Sequence, residues 1–139
     1  MSPPETPWFE GEALDDHLSR SDFDSETEKF VRTLARDGYA IVDLGDAARA
    51  LCDRAVADTD PYFATGALRV QDAWYRSDAV RRLATWSRVR SLLTAAYGRD
   101  PFPFQTLNFH RGSQQALHAD TIHFHSLPER FMCGVWIAL

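Results

Sequence analysis

The nine residues 131–139, Phe-Met-Cys-Gly-Val-Trp-Ile-Ala-Leu, carry no charged side chain and are apolar on both alternating faces. That pattern predicts a strand covered on both sides of a sheet, with a neighbour along each edge. The run is about half the length a helix needs to cross a bilayer, so it predicts no membrane span. Upstream, Pro101 and Pro103 forbid helix and divide the chain into two regimes. Beyond them the pattern is β, with strands expected over 104–110, 117–121 and 131–139 and turns at Gly112 and Pro128.

Before the prolines the period is helical. Ser25-Glu26-Thr27-Glu28 reads as a capping box, Phe30, Val31, Leu34 and Ala35 recur at helical spacing, and Gly38 supplies the stop. A short strand is expected over 39–44, ended by Gly45. Asp46 then caps a second helix with Ala50, Leu51 and Ala55 inward and Pro61 beyond its end. Residues 61–76 show no clear period. Ser77 caps a short helix through Ala84. Ser87 opens another whose Val89, Leu92, Leu93, Ala96 and Tyr97 form one face, closed by Gly98. Residues 1–22, with three prolines and many acids, read as a loose arm pinned by Trp8, Phe9 and Leu14, and 23–139 as part of one domain. Helices first and strands last predict an α+β fold.

Charge narrows the partners. The chain carries a net −5, which argues against nucleic acid as a ligand. Residues 1–60 hold 15 acidic and 6 basic groups, whereas 61–139 hold 5 and 9, so an anionic ligand belongs with the second half unless that half is only a solvated basic face. Cys52 and Cys133 lie far apart in apolar settings and are expected to be buried thiols in a reducing compartment. The first residues have neither a basic nor an apolar leader pattern, so the expected location is cytoplasmic.

Four of the five histidines, His110, His118, His123 and His125, fall within sixteen residues, and Asp120 lies among them. On an extended backbone His118 and Asp120 point to one face. One imidazole and one carboxylate make two-thirds of a facial triad that binds Fe(II) and leaves positions open. The pair alone is weak evidence, since chance supplies about half of one such H-x-D in a chain of this composition.

The surrounding residues add more. Gln105-Thr106-Leu107-Asn108-Phe109-His110-Arg111-Gly112, followed by His118-Ala119-Asp120, Ser126-Leu127-Pro128 and Gly134-Val135-Trp136-Ile137-Ala138-Leu139, resembles the iron-ligand segment of the phytanoyl-CoA dioxygenase family. Ala96-Tyr97-Gly98 and Asp37-Gly38-Tyr39 are similar to the family's approach to its first strands, so the resemblance covers about 25–139. It implies a double-stranded β-helix (jelly-roll) core. It also implies an Fe(II)- and 2-oxoglutarate-dependent oxygenase that hydroxylates a small organic substrate with O2. His118 and Asp120 inherit the iron. Gln105, Asn108 and Leu117 fall where family members meet the cosubstrate, and Phe124, His125 and Trp136 fall on the substrate side. Ordinary strand polarity accounts equally well for Gln105 and Asn108, and core packing for the aromatics. His123 and His110 are expected outside the metal's ligand set, and His17 carries no functional signal.

The third ligand of the family, a distal histidine, and the arginine that grips 2-oxoglutarate have no counterpart here. With the uncapped apolar run at 131–139, this leads to the expectation that the sequence is the front part of a longer protein, inactive alone. Two other readings stay open: a cupin-like metal site, in which Gly112 and His118-Ala119-Asp120 echo G-x5-H-x-H, and a catalytically inactive interaction domain. No feature selects a substrate or an oligomeric state.

Overall fold

The computed structural model describes residues 4–112, 116, 118, 120 and 123–139. Its elements are a mixture of helix and a small antiparallel sheet. They form two compact units. The first takes the chain up to Val42, then Ser87–Pro101 and the stretch ending at Gly134; the second takes Asp43–Trp86, the stretch from Phe102 to Asp120, and Val135–Leu139. No described helix is long and apolar enough to cross a membrane.

In the first unit, a 3-10 turn at Trp8–Glu10 leads to α1 (Leu14–Arg20), α2 (Ser25–Asp37) and α5 (Ser87–Tyr97). Helix appears where a loose arm was expected, because α1 is too short to show a period. Asp15 and Asp16 nonetheless open it, Arg20 ends it, and Leu18 is buried. The cap of α2 is Asp24, one residue before the predicted Ser25: its Oδ1 accepts from the Thr27 N–H at 2.6 Å. That bond holds the Asp24 carboxyl below its usual range, with Arg88 adding a smaller pull. Gly38 ends α2 in the left-handed region, as its position predicted.

Val31 from α2 and Ala95, Ala96 and Tyr97 from α5 make the core with Leu18, flanked by Phe9, Leu14, Phe30 and Leu34. Tyr97 meets Phe9 edge-on at 5.1 Å and donates to the Met132 carbonyl at 3.3 Å. Burial, foremost, raises its hydroxyl above the ordinary tyrosine range.

The second unit contains α3 (Asp46–Ala64), β1 (Arg69–Gln71), a 3-10 turn at Ala73–Tyr75, α4 (Asp78–Ala84) and β2 (Leu107–Phe109). Ala48, Cys52, Ala55 and Thr59 form the buried stripe of α3, spaced four, three and four residues apart. Ala50 is exposed, so the inward face lies to one side of the predicted one. These small side chains let α4, carrying Ala79, Val80 and Leu83, pack closely. Pro61 lies inside α3 rather than beyond it. The helix survives the lost N–H because its last turn is anchored: Phe63 packs on the core, and Tyr62 lies 5.8 Å beneath the Arg76 guanidinium.

Ser77 is buried and caps α4 as predicted, accepting from the Val80 N–H at 3.2 Å. The same hydroxyl donates to Asp58 Oδ2 at 2.7 Å, while Arg54 holds Asp58 Oδ1 at 2.8 Å. Ser77→Ala removes a cap and strips a donor from a mostly buried carboxylate. It is expected to cost about 1–3 kcal/mol, read as a lowered urea midpoint at constant slope.

The sheet consists of β1 and β2 alone among the described residues, paired antiparallel as Arg69↔Phe109, Val70↔Asn108 and Gln71↔Leu107. Asp72, in the left-handed region, extends the pairing by one step. Its N–H reaches the Thr106 carbonyl at 2.8 Å and its Oδ1 accepts from the Thr106 N–H at 3.2 Å.

Three strand expectations are corrected here. The 104–110 strand is reduced to 107–109. Among the described residues, 39–44 and 131–139 form no strand, with Ile41 and Trp136 largely exposed; the strand expected over 117–121 lies mostly outside the described residues. Strand propensity yields a strand only where a partner lies alongside. The two halves of 131–139 instead pack by side chain: Phe131 on Tyr97 in the first unit, and Ile137 on the core of the second. Cys52 is buried, whereas Cys133 is exposed, against expectation, because its stretch has no covering sheet.

Candidate metal centre

His118 and Asp120 converge. His118 Nε2 lies 3.5 Å from Asp120 Oδ1. The other ring nitrogen, Nδ1, lies 2.7 Å from the Ala116 carbonyl. A carbonyl can only accept, so Nδ1 carries the proton, and in the neutral ring the Nε2 lone pair is turned toward Asp120. A hydrogen bond from a ligating histidine's far nitrogen to a backbone carbonyl orients the ring and raises its basicity. The 3.5 Å separation is long for a hydrogen bond, but two donors so spaced can share an ion at about 2.1 Å from each. The His118 side chain is partly covered and the Asp120 side chain half exposed, so the pair is open to solvent.

No group of three or more histidine, cysteine, aspartate or glutamate side chains gathers among the described residues. His110 is occupied elsewhere, stacked on Phe63 at 5.4 Å. His123 meets the ring of its neighbour Phe124 edge-on at 6.4 Å.

Of the other candidates, Asn108 stands at the middle of β2 opposite Val70, a core residue, and so faces the interior of the second unit. Its Oδ1 is shielded from solvent and has no hydrogen-bond partner among the described residues. Thr106 Oγ1 and Trp74 Nε1 are in the same state. Thr106 is two residues from Asn108, hence on the same face. Gln105 is half-buried ahead of β2. Trp136 is exposed over most of its surface, and its ring stacks on Phe109 at 6.5 Å and 14°. Leu117 lies outside the described residues. Gln105, Asn108, His118, Asp120 and Trp136 thus belong to the second unit, while Phe124 and His125 belong to the first.

Sequence reasoning passed over Thr106 and Trp74. Their only signal was position, one on the inner register of β2 and the other just after the residue that extends the sheet. No family model, characterised protein or solved structure matches the chain.

Proposed function

We propose that this chain carries two of the iron ligands, and part of the cosubstrate pocket, of a non-haem Fe(II)/2-oxoglutarate-dependent dioxygenase of the phytanoyl-CoA dioxygenase type. Its substrate class is a small organic molecule, and its core is a double-stranded β-helix to which β1 and β2 contribute. The observation that carries the reading is the convergence of His118 Nε2 and Asp120 Oδ1 at 3.5 Å, with Nδ1 already held by a carbonyl. Neutral imidazole nitrogen with one carboxylate oxygen is the donor set that suits Fe(II) in a facial triad. The family's third ligand and its cosubstrate arginine are given no residue in this reading.

When bound, Fe(II) with 2-oxoglutarate supplies oxygen activation for C–H hydroxylation. The chain's own residues have simpler tasks. Ala116 fixes the His118 ring, and Asp120 contributes negative charge beside it. Thr106 presents a shielded hydroxyl that can donate to a carboxylate or ketone oxygen of a 2-oxo acid, whereas the shielded Asn108 Oδ1 can only accept. The exposed Trp136 face offers a flat apolar surface to the substrate.

With only two protein ligands in hand, the purified 139-residue chain is expected to bind Fe(II) under anaerobic conditions but to release no succinate from 2-oxoglutarate. Sustained succinate formation by this chain contradicts the two-ligand assignment. Absence of any Fe(II) binding removes the oxygenase reading and leaves an interaction domain.

A further inference from the structure

His17 lies in the first unit, far in sequence from the candidate metal ligands, and its half-buried ring packs against two aromatic side chains. Trp8 covers it at 3.7 Å between ring centroids and Phe23 meets it edge-on at 5.8 Å. The Ala95 backbone of α5 lies close enough to the ring to oppose in part the effect of burial on it. Nε2 is shielded from solvent and has no hydrogen-bond partner among the described residues.

The surrounding contacts make this ring the hub of a docked segment. Trp8 seats against Gly98, where a Cβ would lie 2.5 Å from the indole. Arg99 donates to the Pro4 carbonyl at 2.6 Å, and Arg130 pairs with Glu10 at 3.1 Å. Residues 4–21 are therefore held by a half-buried imidazole, an indole seated on Gly98 just past α5, and contacts to Arg99 and Arg130.

We propose that His17 is an acid-sensitive latch: protonation of Nε2 undocks residues 4–21 from α5. The neutral ring can leave Nε2 as a bare nitrogen shielded from solvent. The protonated ring gains a second N–H with no acceptor, packed against two aromatic rings.

Charged groups on the elements around it are already engaged. Glu10 pairs with Arg130, Asp16 with Arg20, Asp15 with Arg32, Asp24 with Arg88, and Arg99 with the Pro4 carbonyl. Asp22, beside Phe23, is exposed and forms no ion pair with the ring. None of these groups lies at ion-pairing distance from the imidazole among the described residues. Burial accordingly pushes the His17 pKa below its ordinary 6.5, only partly offset by the Ala95 backbone.

The sign follows. A histidine whose folded pKa is depressed contributes its full docking stability above the free value, and loses it as pH falls through the folded one. Between the two values the undocked fraction should rise up to about tenfold per pH unit.

The test is NMR titration of the His17 ring in the whole chain, assigned with His17→Gln, with hydrogen exchange of α1 amides followed from about pH 7.5 to about pH 5. The expected result is a His17 midpoint below 6.5. Loss of α1 protection should follow that titration while α3 amides stay protected, and His17→Gln should flatten the α1 response. A midpoint at or above 6.5 means that attraction to the Trp8 face outweighs the missing acceptor, and overturns the proposal. Unchanged α1 protection across the range also overturns it. Should His17→Gln fail to dock at neutral pH, the wild-type midpoint and exchange decide the question alone.

Discussion

Gly98→Ala is expected to destabilise the first unit by about 2–5 kcal/mol. Two costs combine. Gly98 closes α5 at φ +71, a left-handed conformation that costs an L-residue about 1–2 kcal/mol. The added Cβ would also lie 2.5 Å from Trp8 Cε2 and 2.7 Å from both Trp8 Cδ2 and Pro4 Cγ. The indole has little room to retreat, since its other side rests on His17 and Pro4 is held by Arg99. Overpacking of that kind costs about 1–3 kcal/mol. Gly38→Ala separates the terms. Gly38 closes α2 at φ +77, but nothing lies within 4 Å of its would-be Cβ. Urea midpoints should fall for both variants and clearly further for Gly98→Ala. Equal shifts would mean that Trp8 is not seated on Gly98, and the docked arrangement of residues 4–21 would be wrong.

The helical front was legible in the sequence where caps and periods agree. Ser77 and Gly38 occupy their predicted roles, and α5 runs from Ser87 to Tyr97 with Leu92, Ala96 and Tyr97 inward. Differences arise where two local signals compete. Asp24 and Ser25 are both good caps, and the carboxylate won, assisted by Arg88. Pro61 is a helix-ending signal that side-chain packing of the last turn of α3 overrode. The strands were less legible for a different reason. An apolar, strand-prone run marks the capacity to pair, whereas pairing depends on what lies alongside, so 131–139 forms no strand among the described residues while the unremarkable Arg69–Gln71 forms β1. At the site, H-x-D spacing anticipated the approach of His118 to Asp120. It could not reveal the Ala116 carbonyl behind the ring or the shielded atoms of Thr106 and Trp74, because these follow from backbone path and register.

His118→Ala and Asp120→Ala are each expected to weaken Fe(II) binding by at least about 100-fold. Even partners one step removed from a metal cost about 10–100-fold when lost. The two effects should not add. Once one donor is gone, the other holds an ion by a single bond, and removing it costs little more. The double variant therefore separates a shared ion from two independent weak sites. Anaerobic calorimetry with Fe(II) on the wild type, both single variants and the double variant gives this cycle directly. Additive losses would mean that each side chain binds its own ion. Asp120→Asn sharpens the comparison, because it keeps an oxygen and removes the charge. It should retain less than a tenth of the wild-type affinity if the carboxylate is a ligand, and most of it if Asp120 only orients the His118 ring.

The most direct measurement is a paramagnetic one. Co(II), close to Fe(II) in its preference among nitrogen and oxygen donors, shifts and broadens the NMR signals of nuclei near it. One equivalent added to the intact chain should displace the ring signals of His118 and the methylene signals of Asp120 while leaving those of His17 unperturbed. Perturbation centred instead on the acid-rich residues 1–60, with His118 and Asp120 unchanged, would contradict the metal centre and the oxygenase reading built on it.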